Sequence, residues 1–174
     1  TWLKRSEITS SNHEYFFGVG DYTLIGFRKD DSGEADDLYV QSQNSGTATA
    51  LQTNAKFRDP HAWYHFFVAF DSTQGTAANR IKVYVNGKLV DSDYGDYGTD
   101  QRSSIVQNQH DLEVGDSGTR ISIGYSPNGT SSFFDGYMAE THLLIGSAKA
   151  HTDFGETNDN GVWVPKKTSF ATSD

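Results

Sequence analysis

Two consecutive segments near the middle of the chain constrain its fold more than any other feature. Residues 63–71 and 80–85 are rich in aromatic and β-branched residues, which fit the pleated, packed surface of a strand. The second segment ends at Asn86-Gly87, a pair that supplies the two positive φ angles of a tight I′ turn. We therefore predict two adjacent strands, the second of which ends in a hairpin turn.

The first of these strands is apolar on both of its faces. Side chains alternate along a strand, so two sets are defined: Trp63, His65, Phe67 and Ala69 on one face, and Tyr64, Phe66, Val68 and Phe70 on the other. Because both sets are largely apolar, we expect a central strand that is covered on both sides. Large aromatic residues are usually buried, so we also predict core positions for Trp63, Phe67 and Phe134.

Segments of the same kind recur along the chain, with turn residues between them. No segment holds apolar residues at i, i+3, i+4 and i+7 over three turns, so only one short helical turn is predicted, near 147–154. An aromatic content of 13% with 17 glycines suits short strands joined by Gly-rich turns. The chain is predicted to be all-β, with strand candidates at 1–5, 14–19, 22–29, 36–41, 47–53, 63–71, 80–85, 119–125, 133–146 and 161–165.

Residues 91–118 interrupt this alternation of strands and turns. They are predicted to form a long surface loop, a kind of segment that is often functional.

Charge and composition exclude several classes of function. The net charge of −9 disfavours binding to nucleic acid or to an anionic membrane surface. The chain has no cysteine, so thiolate metal sites, disulfides and a cysteine nucleophile are excluded. No apolar run approaches the roughly 20 residues that span a bilayer, so membrane insertion is not expected.

Motifs along most of the chain resemble those of one known superfamily. Trp63-Tyr64-His65, Asp71, Asn79-Arg80, Tyr84-Val85-Asn86-Gly87 and the later stretch 134–140 resemble the laminin-G-like/concanavalin A-like lectin–glucanase superfamily. More narrowly, four segments resemble modules of virion structural proteins of bacteriophages, often of marine origin: 2–6, 134–140, 154–156 and 161–167.

This resemblance implies a fold and a biological setting. The fold would be a two-sheet antiparallel β-sandwich, a jelly roll, in which 1–174 forms a single domain. The chain already starts as a strand, so we expect one module of a longer protein. The setting would be the extracellular phage particle, in a tail fibre, an appendage or a decoration. The expected partners are a host-surface glycan or neighbouring virion subunits, in an assembly expected to be symmetric.

A hydrolase of this superfamily would need two carboxylates placed beside the scissile bond. The superfamily's hydrolases carry them on one strand in a Glu-x-Asp-x-x-Glu type cluster, and this chain has no such cluster. The nearest pairs, Glu113 with Asp116 and Asp135 with Glu140, lack same-face spacing on a strand. We therefore predict that the chain is not an enzyme.

Calcium is the metal that the resemblance implies, since laminin-G-like domains often carry one such ion at the rim of a sheet. The usual acidic ligand would lie before the Trp63 strand, where the chain offers only Asn54 and Asp59. The densest group of hard oxygen ligands is instead the set Asp91, Asp93 and Asp96. An acidic solvated loop is the alternative interpretation of this set.

The six histidines are scattered without the spacing of a zinc site, and His65 and His142 are predicted to form hydrogen bonds at the edge of the core.

Sugar binding requires aromatic faces with polar groups beside them. Tyr94 and Tyr97 in the long loop, and Tyr125 next to Asn128, are the candidate ligand-binding residues. The leading hypothesis is a non-enzymatic module that binds host-surface carbohydrate through rim loops. The alternatives are a purely structural virion module without a ligand and, third, a glycoside hydrolase.

Overall fold

The computed structural model of the chain describes residues 1–8, 12–20, 23–28, 36–44, 47–91, 95–108, 118–127, 132–146 and 149–169. Within these residues the secondary structure consists of strands and three short 3₁₀ helices, at Ala77–Asn79, Arg102–Ser104 and His151–Asp153. The last of these helices confirms the predicted helical turn near 147–154. No helix in the described part of the chain is long and apolar enough to cross a membrane. The strands are β1 (Trp2–Arg5), β2 (Glu14–Val19), β3 (Thr23–Phe27), β4 (Asp37–Asn44), β5 (Thr47–Lys56), β6 (Tyr64–Phe70), β7 (Ile81–Val85), β8 (Lys88–Leu89), β9 (Tyr97–Asp100), β10 (Ile121–Ile123), β11 (Gly136–Ala139), β12 (Gly155–Thr157) and β13 (Trp163–Pro165).

The strands form two large antiparallel sheets and one small hairpin. A five-stranded sheet has the order β11-β1-β6-β7-β8, and a six-stranded sheet has the order β10-β2-β3-β4-β5-β9. The two remaining strands, β12 and β13, pair with each other. This arrangement confirms the predicted all-β, two-sheet antiparallel sandwich.

The central position of β6 is confirmed. It lies between β1 and β7, and its pairing with β7 runs from Phe66–Val85 to Phe70–Ile81. The turn after β7 is also as predicted, because Asn86 and Gly87 have φ angles of 49° and 77°. Only residues that tolerate the left-handed region can form this tight connection to β8.

The core lies between the two sheets and is built on aromatic rings. Phe66 of β6 packs against Phe16, Phe27 and Phe57 with ring centroids 5.1–5.8 Å apart. The pairs are both stacked and edge-to-face, which are the arrangements that aromatic side chains favour. Apolar residues of β4, β5 and β7 surround these rings: Leu38, Val40, Leu51, Ile81, Val83 and Val85. The inner face of β6 is therefore covered by the six-stranded sheet.

One end of the core holds a buried ionic network centred on Arg5. The guanidinium of Arg5 donates to both oxygens of Glu14, to Asp36 at 2.8 Å and to the carbonyl of Phe57 at 2.9 Å. All three charged side chains are at most 5% exposed. Burial acts to lower the pKa of Arg5, but the hydrogen bonds to the two carboxylates outweigh it and raise that pKa. The network therefore joins β1 and β2 to Asp36, just before β4, and to Phe57, just after β5.

Several predicted boundaries were wrong. The region 91–118 is not one loop, because β9 adds to the edge of the six-stranded sheet and Ile105 is fully buried. The strand predicted over 133–146 is limited to Gly136–Ala139, since β1 is short and pairs with only these four residues. The two-residue β8 and the three-residue β12 were not predicted, because such short segments lack a readable alternation.

Replacement of Arg5 should destabilise the fold strongly. Arg5→Met leaves Glu14 buried without a cation and Asp36 paired only with the exposed Arg58, so we expect the free energy of unfolding to fall by about 3–5 kcal/mol. Urea unfolding followed by tryptophan fluorescence measures this loss. The control is Arg58→Ala, since Arg58 also pairs with Asp36 but is 56% exposed, and it should cost less than about 1 kcal/mol. Equal losses for the two variants would contradict the central role of Arg5.

Candidate functional site

The outer face of the five-stranded sheet carries a row of stacked rings. Trp2 stacks on His65 at 4.9 Å, and His65 lies 6.0 Å from Trp163. Trp163 is followed by His151 at 5.8 Å, which in turn stacks on Tyr84 at 4.1 Å. The row brings together β1, β6, β7, the last 3₁₀ helix and β13. The outer face of β6 is thus covered as well, as predicted from its two apolar faces.

Trp163 fixes the β12–β13 hairpin to this face. Its indole Nε1 donates a hydrogen bond of 3.1 Å to Nδ1 of His65, which confirms the predicted hydrogen bonding of His65. A Cβ atom at Gly87 or at Gly155 would lie 2.4 Å from the indole ring. The two glycines therefore allow the ring to lie directly against the backbone of the β7–β8 turn and of β12.

A cleft of about 300 Å³ opens beside the docked Trp163. One of its walls is Trp63, the residue immediately before β6, whose side chain is 43% exposed. The predicted core position of Trp63 was therefore wrong: it precedes the paired part of the strand, so nothing packs over its ring completely. The described residues that line the cleft are Trp63, Asn86, Gly87, Lys88, Thr157, Gly161, Val162 and Trp163.

The cleft also contains hydrogen-bonding groups. The Oδ1 atom of Asn86 accepts a 2.8 Å hydrogen bond from the backbone N–H of His65, which orients the side chain and leaves its NH₂ group as a donor. Lys88 is exposed at the start of β8, and Thr157 is exposed on β12. Two indole surfaces and three different polar side chains thus line one small concave site.

One family model matches the chain, and it covers residues 1–147. This laminin-G model is described as the concanavalin A-like lectin/glucanases superfamily. The chain belongs to this superfamily. No curated protein and no solved structure matches the chain significantly.

The superfamily match ends before the second wall of the cleft. Trp63, Asn86 and Lys88 lie inside the matched residues, whereas Thr157 and Trp163 lie beyond them. The cleft therefore combines residues inside the superfamily match with a hairpin that lies beyond its end.

A larger cavity of about 630 Å³ lies at the open edge of β6. Its lining includes Phe66 and Val68 from the inner face of that strand and Phe67 and Ala69 from the outer face. A space lined by both faces of a strand lies in the plane of the sheet. This position follows from the strand pairing. β1 pairs with β6 at Tyr64 and His65, and backbone hydrogen bonds join Thr1 to Phe66, so β1 does not extend along the rest of β6. We interpret this cavity as a gap in sheet packing, because it lies in the plane of the sheet beyond the short β1.

Of the residues that the sequence suggested for ligand binding, the two that the structure describes, Tyr97 and Tyr125, do not line the cleft. The Tyr97 ring is only 9% exposed and lies 4.8 Å from the Arg102 guanidinium, so it packs instead of presenting a free face. Burial raises the pKa of its hydroxyl. Tyr125 is half-buried and contacts Phe133 at 6.2 Å. Tyr94 and Asn128 lie outside the described residues, so their role stays a prediction.

The two described acidic residues suggested for calcium, Asp91 and Asp96, have other partners. Asp91 pairs with Arg102 at 3.1 Å, and Arg102 also binds Asp100 at 2.6 Å. Asp96 accepts the backbone N–H of Tyr97 at 2.8 Å. No group of three His, Cys, Asp or Glu side chains suited to a metal occurs in the part of the chain that is described. Because the Arg102 cation already compensates Asp91, the described residues do not fit a calcium cage, and Asp93 lies outside them.

Trp63 and Trp163 were missed as site residues because each needs long-range information. Trp163 occurs in a motif, Gly161-Val162-Trp163, that the sequence analysis noted only as a family resemblance. The polar residues before Trp63, from Arg58 to His61, were the available signal that this tryptophan lies at a rim and not in the core.

The stability of the fold should decrease as the pH falls below about 6.5. Burial lowers the pKa of His65 from 6.5 to about 3, so below pH 6.5 the unfolded chain binds a proton that the folded chain does not. This difference removes at most about 1.4 kcal/mol of stability per pH unit for one histidine. His65→Gln should flatten the dependence between pH 6.5 and 5, measured by urea unfolding. His61→Gln, at an exposed position, is the control, and an unchanged slope in His65→Gln would contradict the assignment.

Proposed function

We propose that the chain is a non-enzymatic module that binds carbohydrate in the cleft between Trp63 and Trp163. The observation that carries this proposal is the exposed Trp63, which lines one cleft together with a second tryptophan, Trp163, and with Asn86, Lys88 and Thr157. Sugars present C–H groups to aromatic faces and hydroxyls to polar side chains, so both kinds of group are required in one site. A volume of about 300 Å³ suits a small part of a glycan, such as a chain end.

The arrangement of carboxylates supports a binding role over hydrolysis. None of the described residues that line the cleft carries a carboxylate. Asp135 and Glu140 lie at opposite ends of β11, five residues apart, which corresponds to about 16 Å along a strand. Glycoside hydrolases place their two carboxyl groups roughly 5–10 Å apart. This pair therefore has the wrong separation for either hydrolytic geometry.

The proposed setting is a phage virion, in which the module contacts a glycan on the host surface. Support comes from the motifs at 154–156 and 161–167, which are those of the hairpin that completes the cleft. A tail fibre, an appendage or a decoration would present such a cleft outside the particle. Symmetric assembly would repeat the cleft and increase the avidity of weak single sites.

A purely structural virion module is the second candidate. It is favoured by exposed apolar side chains near the sheet edges, which could pack against neighbouring subunits: Ile121, Ile123, Phe133 and Tyr137. Under this alternative the module would bind no sugar at all.

Trp63→Ala should abolish glycan binding without unfolding the protein. Loss of an exposed stacking surface should weaken binding at least about tenfold, or about 1.4 kcal/mol. A glycan array identifies the ligand, and isothermal titration calorimetry then measures the affinity of each variant. Phe133→Ala is the matched control, because Phe133 is 57% exposed but does not line the cleft.

The same assay separates the alternatives. Binding should persist in EDTA, because the lining of the cleft, as far as the structure describes it, contains no His, Asp or Glu side chain. If the array retains no sugar with or without EDTA, the structural module is favoured. If Trp63→Ala and Phe133→Ala bind equally well, the cleft is not the binding site.

A further inference from the structure

The charges around the cleft differ from those of the rest of the protein. The chain has a net charge of −9, yet Lys88 is the only charged side chain among the described residues that line the cleft. Its backbone position is fixed by the Asn86-Gly87 turn, whose two positive φ angles place residue 88 at the start of β8. The ammonium group therefore belongs to a defined wall of the site.

Lys88 has no acidic partner among the described residues. Arg5, Lys56 and Arg102 each form an ion pair with at least one aspartate or glutamate. Within the described ranges, no carboxylate pairs with Lys88 and no hydrogen bond involves its ammonium group. A cation beside two indoles can thus pair with a ligand without first breaking an internal ion pair.

A second donor lies two residues away. Because the Oδ1 atom of Asn86 is engaged by the N–H of His65, the side of Asn86 that is available to a ligand is its NH₂ donor. An ammonium and an amide NH₂ group on one turn match an anionic oxygen pair better than a neutral hydroxyl, since charge-assisted hydrogen bonds are the stronger ones.

We propose that the cleft selects acidic saccharides, with Lys88 as the ion partner of a carboxylate or sulfate on the sugar. This inference rests on the proposed carbohydrate-binding function and adds the chemical class of the ligand. The indoles of Trp63 and Trp163 hold the apolar faces of the sugar, and Lys88 and Asn86 bind its anionic group. The negative net charge acts against such a ligand only at long range, where salt screens it within about 8 Å at physiological ionic strength.

The test compares three matched oligosaccharides: neutral, uronic-acid-containing and sulfated. Isothermal titration calorimetry with the full chain should show tighter binding of the uronic-acid or the sulfated form than of the neutral form. Lys88→Gln should weaken binding of the acidic ligand about three- to tenfold, the range of a partly exposed ion pair, and should leave binding of the neutral ligand unchanged. Lys88→Arg should retain the preference, because it keeps the charge. The uronate and sulfate arms show which anion the cleft prefers.

The control variant is Lys167→Gln, which makes the same charge change at an exposed residue outside the cleft. Equal weakening by Lys88→Gln and Lys167→Gln, or equal affinity for neutral and acidic ligands, would overturn the inference. Failure of the proposed carbohydrate-binding function would give a different result: Trp63→Ala would leave the affinity unchanged, or no saccharide would bind. If Trp63→Ala abolishes binding of all three ligands while Lys88→Gln has no effect, only the acidic preference is wrong. Thermal melting of each variant confirms that it is folded.

Discussion

The two apolar faces of β6 are the constraint on which the rest of the structure depends. A strand of this kind is stable only when both faces are removed from water, because each large side chain contributes about 1.5–3 kcal/mol on burial. The six-stranded sheet covers the inner face through Phe66 and its aromatic neighbours. On the outer face, Phe67 packs against Phe154 at 5.4 Å, and His65 binds Trp163. The segment that contains the β12–β13 hairpin therefore packs on the outer face of β6.

The cleft is a consequence of how that hairpin docks. The indole of Trp163 must approach the backbone closely, and Gly87 and Gly155 leave the space for it. Docking buries part of Trp163 and brings β12 and β13 next to Trp63, which β6 leaves exposed at its start. The same contact thus stabilises the fold and forms the second wall of the site. A superfamily sheet without this hairpin would present Trp63 on an open surface.

Local patterns in the sequence predicted the fold well, whereas the site required contacts that no local pattern records. Alternation identified β6 and β7, and Asn86-Gly87 identified the turn after β7, because both depend on neighbouring residues. Tyr97 lies in a polar, Gly-rich segment, but a cation–π contact with Arg102 and pairing with β5 bury it. His65 and Trp163 are 98 residues apart, so their hydrogen bond becomes visible only in three dimensions. Trp63 is a large aromatic residue of the kind that is usually buried, but it lies at the rim of the sheet and is exposed.

The Asn86-Gly87 turn meets three structural requirements at once. These two residues therefore link the cleft to the fold. A side chain at Gly87 would be strained by its φ of 77° and would also collide with the Trp163 ring. Asn86 tolerates its φ of 49° and fixes His65 through its Oδ1 atom. The turn then directs Lys88 to the cleft. A substitution of Asn86 that kept the hairpin would still remove the amide donor, together with the hydrogen bond to the N–H of His65 that orients it. The hairpin turn, the docking of Trp163 and the proposed ligand contacts therefore depend on the same two positions.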